Sequence, residues 1–245
     1  MQTLRDEFIA EVTKLTTEAM GVYVILLLGT GHHTEIANDY PDAPIQIGTG
    51  HPDLPGVRSV KNYIPTHKEI HTKLTGNREL IFELFLSQLV QKWFDFLNRI
   101  YEKALNENLV NNGTYPIPIA KARIDLSANP LDFILDIKTS ACREFDFLNS
   151  KEKMKTIINI LGAKQRISHS DKLILNENIA IRNIFQHAGG IVDKKSLDDL
   201  GIQSLQGDEG RKIINIKAGD QAIRTAYDIE IFTNTLINIA KSLIL

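Results

Sequence analysis

Between Glu79 and Leu105 the chain runs without a glycine or proline and places Leu80, Leu84, Leu86, Leu89, Val90, Trp93, Phe94, Leu97, Ile100, Tyr101 and Ala104 around more than one helical stripe. A helix apolar over so much of its girth must sit in the middle of a bundle or contribute to a subunit interface. Other helices are expected to gather round it. Leu4 to Met20 reads as an amphipathic helix with Leu4, Phe8, Val12 and Leu15 on one side. Ser150 caps a helix that ends at Gly162 and buries Met154, Ile157, Ile158 and Leu161. Asn129-Pro130 has the form of an N-cap with proline at the first helical position. From about Asp228, the positions Ile229, Phe232, Leu236, Ile239, Ala240 and Leu243 form the apolar seam of a last helix. Asn106 to Ile119 breaks the helical pattern, Ser196 to Leu200 suits a short capped turn of helix, and Lys212 to Lys217 alternates like one side of a hairpin. The expected fold is mainly α: a helical bundle with a short β-hairpin before the last helix.

A second stretch, Asn176 to Asp193, carries the chemistry. Ile181, Ile184, Phe185 and Ala188 fall in one sector of a helix, and Gly189-Gly190 supplies its stop. Arg182, Asn183, Gln186 and His187 lie outside that sector, with Asn183 and His187 one turn apart. Histidine exchanges protons near neutral pH, and an arginine fork pairs with phosphate oxygens. By spacing alone, the pair also suits an ordinary helix surface where Arg and His cap or bridge.

The order Arg182-Asn183-Ile184-Phe185-Gln186-His187 resembles the Arg-(polar)-x-x-x-His signature of the HEPN superfamily, and the trailing Gly-Gly-Ile-Val-Asp is similar to the segment after the motif in several branches. The resemblance extends over roughly residues 79–245, with only Arg182 to Asp193 specific. It implies a small HEPN-like helical domain over 66–245, preceded by residues 1–65 as a helix and an irregular covering segment. It further implies a metal-independent endoribonuclease acting on RNA without a cofactor, as a toxin or antiviral defence effector. Arg182, Asn183 and His187 from two copies would line a composite site in a homodimer, under an antitoxin or sensor protein. HEPN domains also include members without nuclease activity, so a non-catalytic RNA- or protein-binding adaptor is the alternative. HEPN toxins paired with nucleotidyltransferase antitoxins carry a tyrosine two places after the histidine. Here that place is Gly189, so silencing by modification of that tyrosine is not expected.

Net charge is −2, so a nucleic-acid site must come from local clustering. The best cluster is Lys151, Lys153, Lys155, Lys164 and Arg166 against the single acid Glu152. It suits an RNA backbone or, equally, a solvated helix face. His169 comes next, in a polar loop. Cys142, the only cysteine, allows no intrachain disulfide and fits a reducing, cytoplasmic setting.

Gly29 to Pro65 holds five of the eight prolines and reads as a long irregular segment, either a loop over the domain or a cover near a site. Its echo, Gly29-Thr30-Gly31-His32 and Gly48-Thr49-Gly50-His51, lacks the helix and lysine of a phosphate cradle and reads as turns. Val22 to Leu28 is too short to span a bilayer and lacks an adjacent basic leader, so no membrane is expected. It suits a buried strand or a helix continued. His67 and His71 stand one turn apart, but Glu69 occupies the wrong slot for a zinc protease and nothing fixes a third ligand. Exposed helix histidines are the expectation there, and no metal site is.

Overall fold

The computed structural model describes residues 1–42, 66–76, 78–117, 133–208 and 213–245. Among them are eight helices and one antiparallel ribbon: α1 Gln2–Asp39, α2 His67–Gly76, α3 Arg78–Val110, α4 Phe133–Phe147, α5 Ser150–Ile160, α6 His169–His187, α7 Lys194–Leu200, β1 Leu205–Asp208, β2 Ile213–Ile216 and α8 Ala226–Leu243. The fold is mainly α. The Asn129-Pro130 cap and the second Gly-Thr-Gly-His copy lie outside the described residues.

α3 is the central post, and α1, α4, α5, α6 and α8 pack against it. Leu86, Leu89, Val90, Trp93, Leu97, Ile100, Tyr101 and Ala104 are buried, as the apolar girth of this stretch requires. Phe8 from α1 stacks on Phe96 at 4.3 Å, while Tyr101 stacks on Phe145 of α4 at 4.2 Å. The bundle itself satisfies most of α3. This is the mid-bundle placement of the two that the pattern allowed, while Leu84 on the same helix stays exposed. The helix also runs further than its asparagines suggest, to Val110, before Asn112 turns with φ 54°.

α1 departs most from expectation. Phe8, Val12 and Leu15 pack inward as foreseen, but the helix does not stop before Gly29. It continues to Asp39, so Gly29-Thr30-Gly31-His32 is helical and not a turn. Thr30 and Thr34 return their hydroxyls to the Leu26 and Thr30 carbonyls at 2.7 Å each. Packing against α2 holds this extension, and Thr34 Oγ1 meets His71 Nδ1 at 2.9 Å. Tertiary contact outweighs the local glycine cost of roughly 1 kcal/mol each. His67 and His71 lie on one helix but are half-buried, not exposed. Val22 to Leu28 does continue a helix, yet Val22, Val24, Ile25, Leu27 and Leu28 are exposed. The short apolar run belongs to a helix that is long and apolar enough, by length and composition, to cross a membrane. The reading of that run as too short holds for its seven residues alone.

The C-terminal half matches the sequence pattern more closely. Asn149, one residue before the expected Ser150, caps α5 by a reciprocal pair with Glu152. Thr225 and Asp228 do the same for α8, whose whole predicted seam is buried. The hairpin forms with Leu205 opposite Ile216 and Gln206 opposite Asn215. Arg224 fastens it to α6: Nη1 donates to the Gln206 carbonyl at 2.9 Å, and Nη2 lies 3.5 Å from Glu177. Burial pushes the Arg224 pKa below its ordinary value, and Asp228 and Glu177 oppose that shift. This buried charge is tolerated because the backbone and a carboxylate surround it.

One helix supplies a matched stability test. Leu97 is 0% exposed and Leu84 is 56% exposed. Leu97→Ala is expected to cost about 2–5 kcal/mol in urea unfolding, and Leu84→Ala about 0.5 kcal/mol or less. Equal losses would contradict the placement of α3.

Candidate functional site

α6 begins earlier than the apolar periodicity alone suggests. Ser168 is its N-cap, accepting from the Asp171 N–H at 3.0 Å, so His169 opens the helix and is not in a loop. Ile181 and Ile184 are buried, with α3 and α8 packed against the helix. This anchored side fixes the direction of everything opposite.

The far end closes as the glycine pair requires. The Ala188 and Gly190 N–H groups both donate to the Ile184 carbonyl, at 2.9 and 3.2 Å. Gly189 and Gly190 hold φ of 58° and 82°, left-handed values that cost an L-residue about 1–2 kcal/mol. The chain then pairs with a neighbouring loop: Ala222 N–H donates to the Gly190 carbonyl at 2.8 Å and Val192 N–H to the Asp220 carbonyl at 3.0 Å. The end of α6 is thereby held on both sides.

Asn183 and His187 are exposed, one turn apart, and Arg182 is half-buried. Arg182 Nη1 donates to Asn183 Oδ1 at 3.0 Å. Its Nε is buried without a hydrogen-bond partner, and no carboxylate pairs with it among the described residues. Burial lowers the Arg182 pKa from its ordinary value, with no opposing carboxylate. A partly desolvated guanidinium held by one amide retains unused donors for an anion. Five residues along one helix separate Arg182 and His187 by about 7.5 Å of rise and about 140° of rotation.

Asn183 also lines a cleft of about 310 Å³ between the start of α5, the middle of α6 and the end of α7. Lys151, Asn176, Ala180, Ser196 and Asp199 share that lining, whereas Arg182 and His187 do not. On α6, Asn176, Ala180, Asn183 and His187 succeed one another at steps of three or four. His187 thus stands one turn beyond the cleft on the strip that lines it.

The basic cluster is brought together only in part. Lys151, Lys155 and Lys164 are exposed. Arg166 is half-buried and donates to the Leu161 carbonyl at 2.8 Å, closing the turn after α5. Lys153 turns inward: its Nζ lies 3.1 Å from Asn98 Oδ1, 3.7 Å from Asp146, and 5.1 Å from the Phe145 ring centroid. Burial lowers its pKa, and Asp146 opposes the shift. Sequence spacing cannot tell an inward lysine from an outward one when its partners, on α3 and α4, are unforeseen. It also passes over Lys172 and Asn176, although both precede Asn183 on the same helical strip. Among the described residues, no three His, Cys, Asp or Glu side chains group as a metal site.

No family model, curated protein or solved structure matches this chain.

Gly190 tests how the helix end is held. A Cβ there would meet the end of the Gln221 side chain, which can swing aside, but the φ of 82° would remain. Gly190→Ala should therefore lower stability by about 1–2 kcal/mol, and adding Gln221→Ala should not restore it. Full rescue by the second substitution would show that side-chain crowding, and not backbone conformation, requires the glycine.

Proposed function

We propose that this protein is a metal-independent endoribonuclease of HEPN type, in which Arg182, Asn183 and His187 act on the scissile phosphate of RNA. The observation that carries the reading is the half-buried Arg182 guanidinium, which has no carboxylate partner among the described residues and stands on the same helix end as an exposed Asn183 and His187. A guanidinium in that state favours an oxyanion, and phosphate fits its fork.

In this reading, the substrate's 2′-oxygen attacks the adjacent phosphorus as the bond to the 5′-oxygen breaks. The products are a 2′,3′-cyclic phosphate and a free 5′-hydroxyl. His187 takes the 2′-hydroxyl proton or gives one to the departing 5′-oxygen. Arg182 binds the phosphate and stabilises the charge that builds on it. Asn183 orients the guanidinium through the bond it already accepts. A single copy leaves the imidazole and guanidinium well apart, so two copies of α6 facing one cleft in a homodimer supply both groups to one phosphate. The nucleophile belongs to RNA, so DNA is not cut. A cytoplasmic toxin or antiviral defence effector, restrained by an antitoxin or sensor protein, is the setting this chemistry suits.

A second reading is a non-catalytic adaptor that binds RNA or protein. It is favoured by one observation: Asn183 lines the cleft while Arg182 and His187 do not.

Incubation of the purified protein with RNA in excess chelator separates the two. Cleavage is expected, falling about 10²–10⁴-fold in His187→Ala, with DNA of the same sequence intact. An absence of RNA cleavage at high protein concentration, or cleavage unchanged in His187→Ala, would overturn the nuclease reading.

A further inference from the structure

The space between α5 and α6 contains a second opening, of about 320 Å³, that adjoins the Asn183 cleft and shares Lys151 and Asn176 with it. Four lysines ring it: Lys151 and Lys155 from α5, Lys164 from the turn after α5, and Lys172 from the first turns of α6. No acidic side chain lines it. Lys151 Nζ donates to the Asp199 carbonyl at 2.9 Å, leaving its charge uncompensated. The side chains of Lys155, Lys164 and Lys172 make no ion pair or hydrogen bond among the described residues. On a chain of net charge −2, four such lysines round one opening concentrate positive potential there.

The floor is of another kind. Met154, Ile158 and Leu175 form it, each at most 9% exposed overall but presenting part of its surface to the opening. Cations around an apolar floor suit a ligand that is anionic at its edge and flat and weakly polar in its body. A nucleotide with an unstacked base has that form, whereas a duplex keeps its base faces hidden. The volume lies within the roughly 300–1,000 Å³ usual for small-molecule clefts.

Position adds an independent argument. Lys172, Asn176, Asn183 and His187 lie along one strip of α6. From Lys172 to His187 the strip is about 22 Å long. The two openings are therefore segments of one track that leads toward the proposed reacting group.

We infer that the lysine-ringed groove between α5 and α6 binds single-stranded RNA on one side of the cleavage point, with phosphates against Lys151, Lys155, Lys164 and Lys172 and a base against Met154, Ile158 and Leu175. The identity of the strand as RNA rests on the nuclease reading; the groove's affinity for a single strand does not. The inference replaces Lys153 and Arg166, which the core and the α5 turn engage, with Lys172.

The test uses the full chain carrying His187→Ala, so that substrate persists, and a fluorescein-labelled 12-nucleotide RNA followed by anisotropy across a salt series. In that background, Lys155→Gln with Lys172→Gln is expected to weaken binding about tenfold or more at ~0.1 M salt and to reduce the slope of log K against log salt by about 1.4, at about 0.7 per lost phosphate contact. Lys241→Gln, an exposed lysine on α8, should leave both quantities unchanged. Lys155 and Lys241 are exposed and Lys172 is half-buried with no ion pair or hydrogen bond from its side chain among the described residues, so thermal unfolding of the variants should match the parent. Absence of RNA binding by the parent, an unchanged double variant, or an equal loss in the control would each overturn the inference. Lysine-dependent binding without cleavage by the wild-type protein would sink the nuclease reading and leave the groove standing. Cleavage with lysine-independent binding would do the reverse.

Discussion

The anchoring of α6 by one side is the constraint on which the rest depends. Ile181 and Ile184 are driven out of water as α6 packs against α3 and α8, each buried side chain contributing about 1.5–3 kcal/mol. Because successive residues on a helix turn by about 100°, fixing that side also fixes where Asn176, Asn183 and His187 point. The fixation is then reinforced at both ends. Ser168 caps the start, two left-handed glycines end the helix, and Arg224 ties the hairpin to Glu177 midway. A candidate site on a helix so held needs no loop rearrangement to keep its spacing.

That arrangement explains why polar groups that are costly in isolation persist here. Arg224 is only 3% exposed but is surrounded by carbonyls and a carboxylate, so its charge serves structure. Arg182 is less buried and has no carboxylate near it. Both leave a buried Nε without a partner, but Arg224 has two carbonyls and a carboxylate on its terminal nitrogens, whereas Arg182 has a single amide oxygen and keeps more donors to spare. The same contrast separates Lys153, held by Asn98, Asp146 and two rings, from the lysines around the α5–α6 groove. Local compensation, not charge as such, distinguishes a structural cation from one available to a ligand.

Much of this was legible in the residue pattern, for physical reasons. The apolar surplus of α3, the seam of α8, the glycine stop of α6 and the alternation of β2 each come from a period that only one kind of element can satisfy. The exposed pair Asn183 and His187 emerges from the same counting on α6. What the pattern missed depended on distant partners. α1 continues through Gly29 and Gly31 because α2 lies alongside it, and His71 is half-buried by that same packing. Lys153 points inward because aromatic rings from α3 and α4 await it. Lys172 joins the groove because α5 folds back beside α6. None of these can be read from a local window.

In the proposed reaction, the α6 end polarises a phosphate for attack by a neighbouring 2′-hydroxyl. The most direct measurement is the chemical identity of the termini produced from a defined RNA, read by mass spectrometry. The expected result is a 2′,3′-cyclic phosphate on one fragment, a 5′-hydroxyl on the other, and no cut where the nucleotide at the cleavage point carries a 2′-deoxyribose. Fragments ending in a 3′-hydroxyl and a 5′-phosphate, or continued cutting at the 2′-deoxy position, would contradict it.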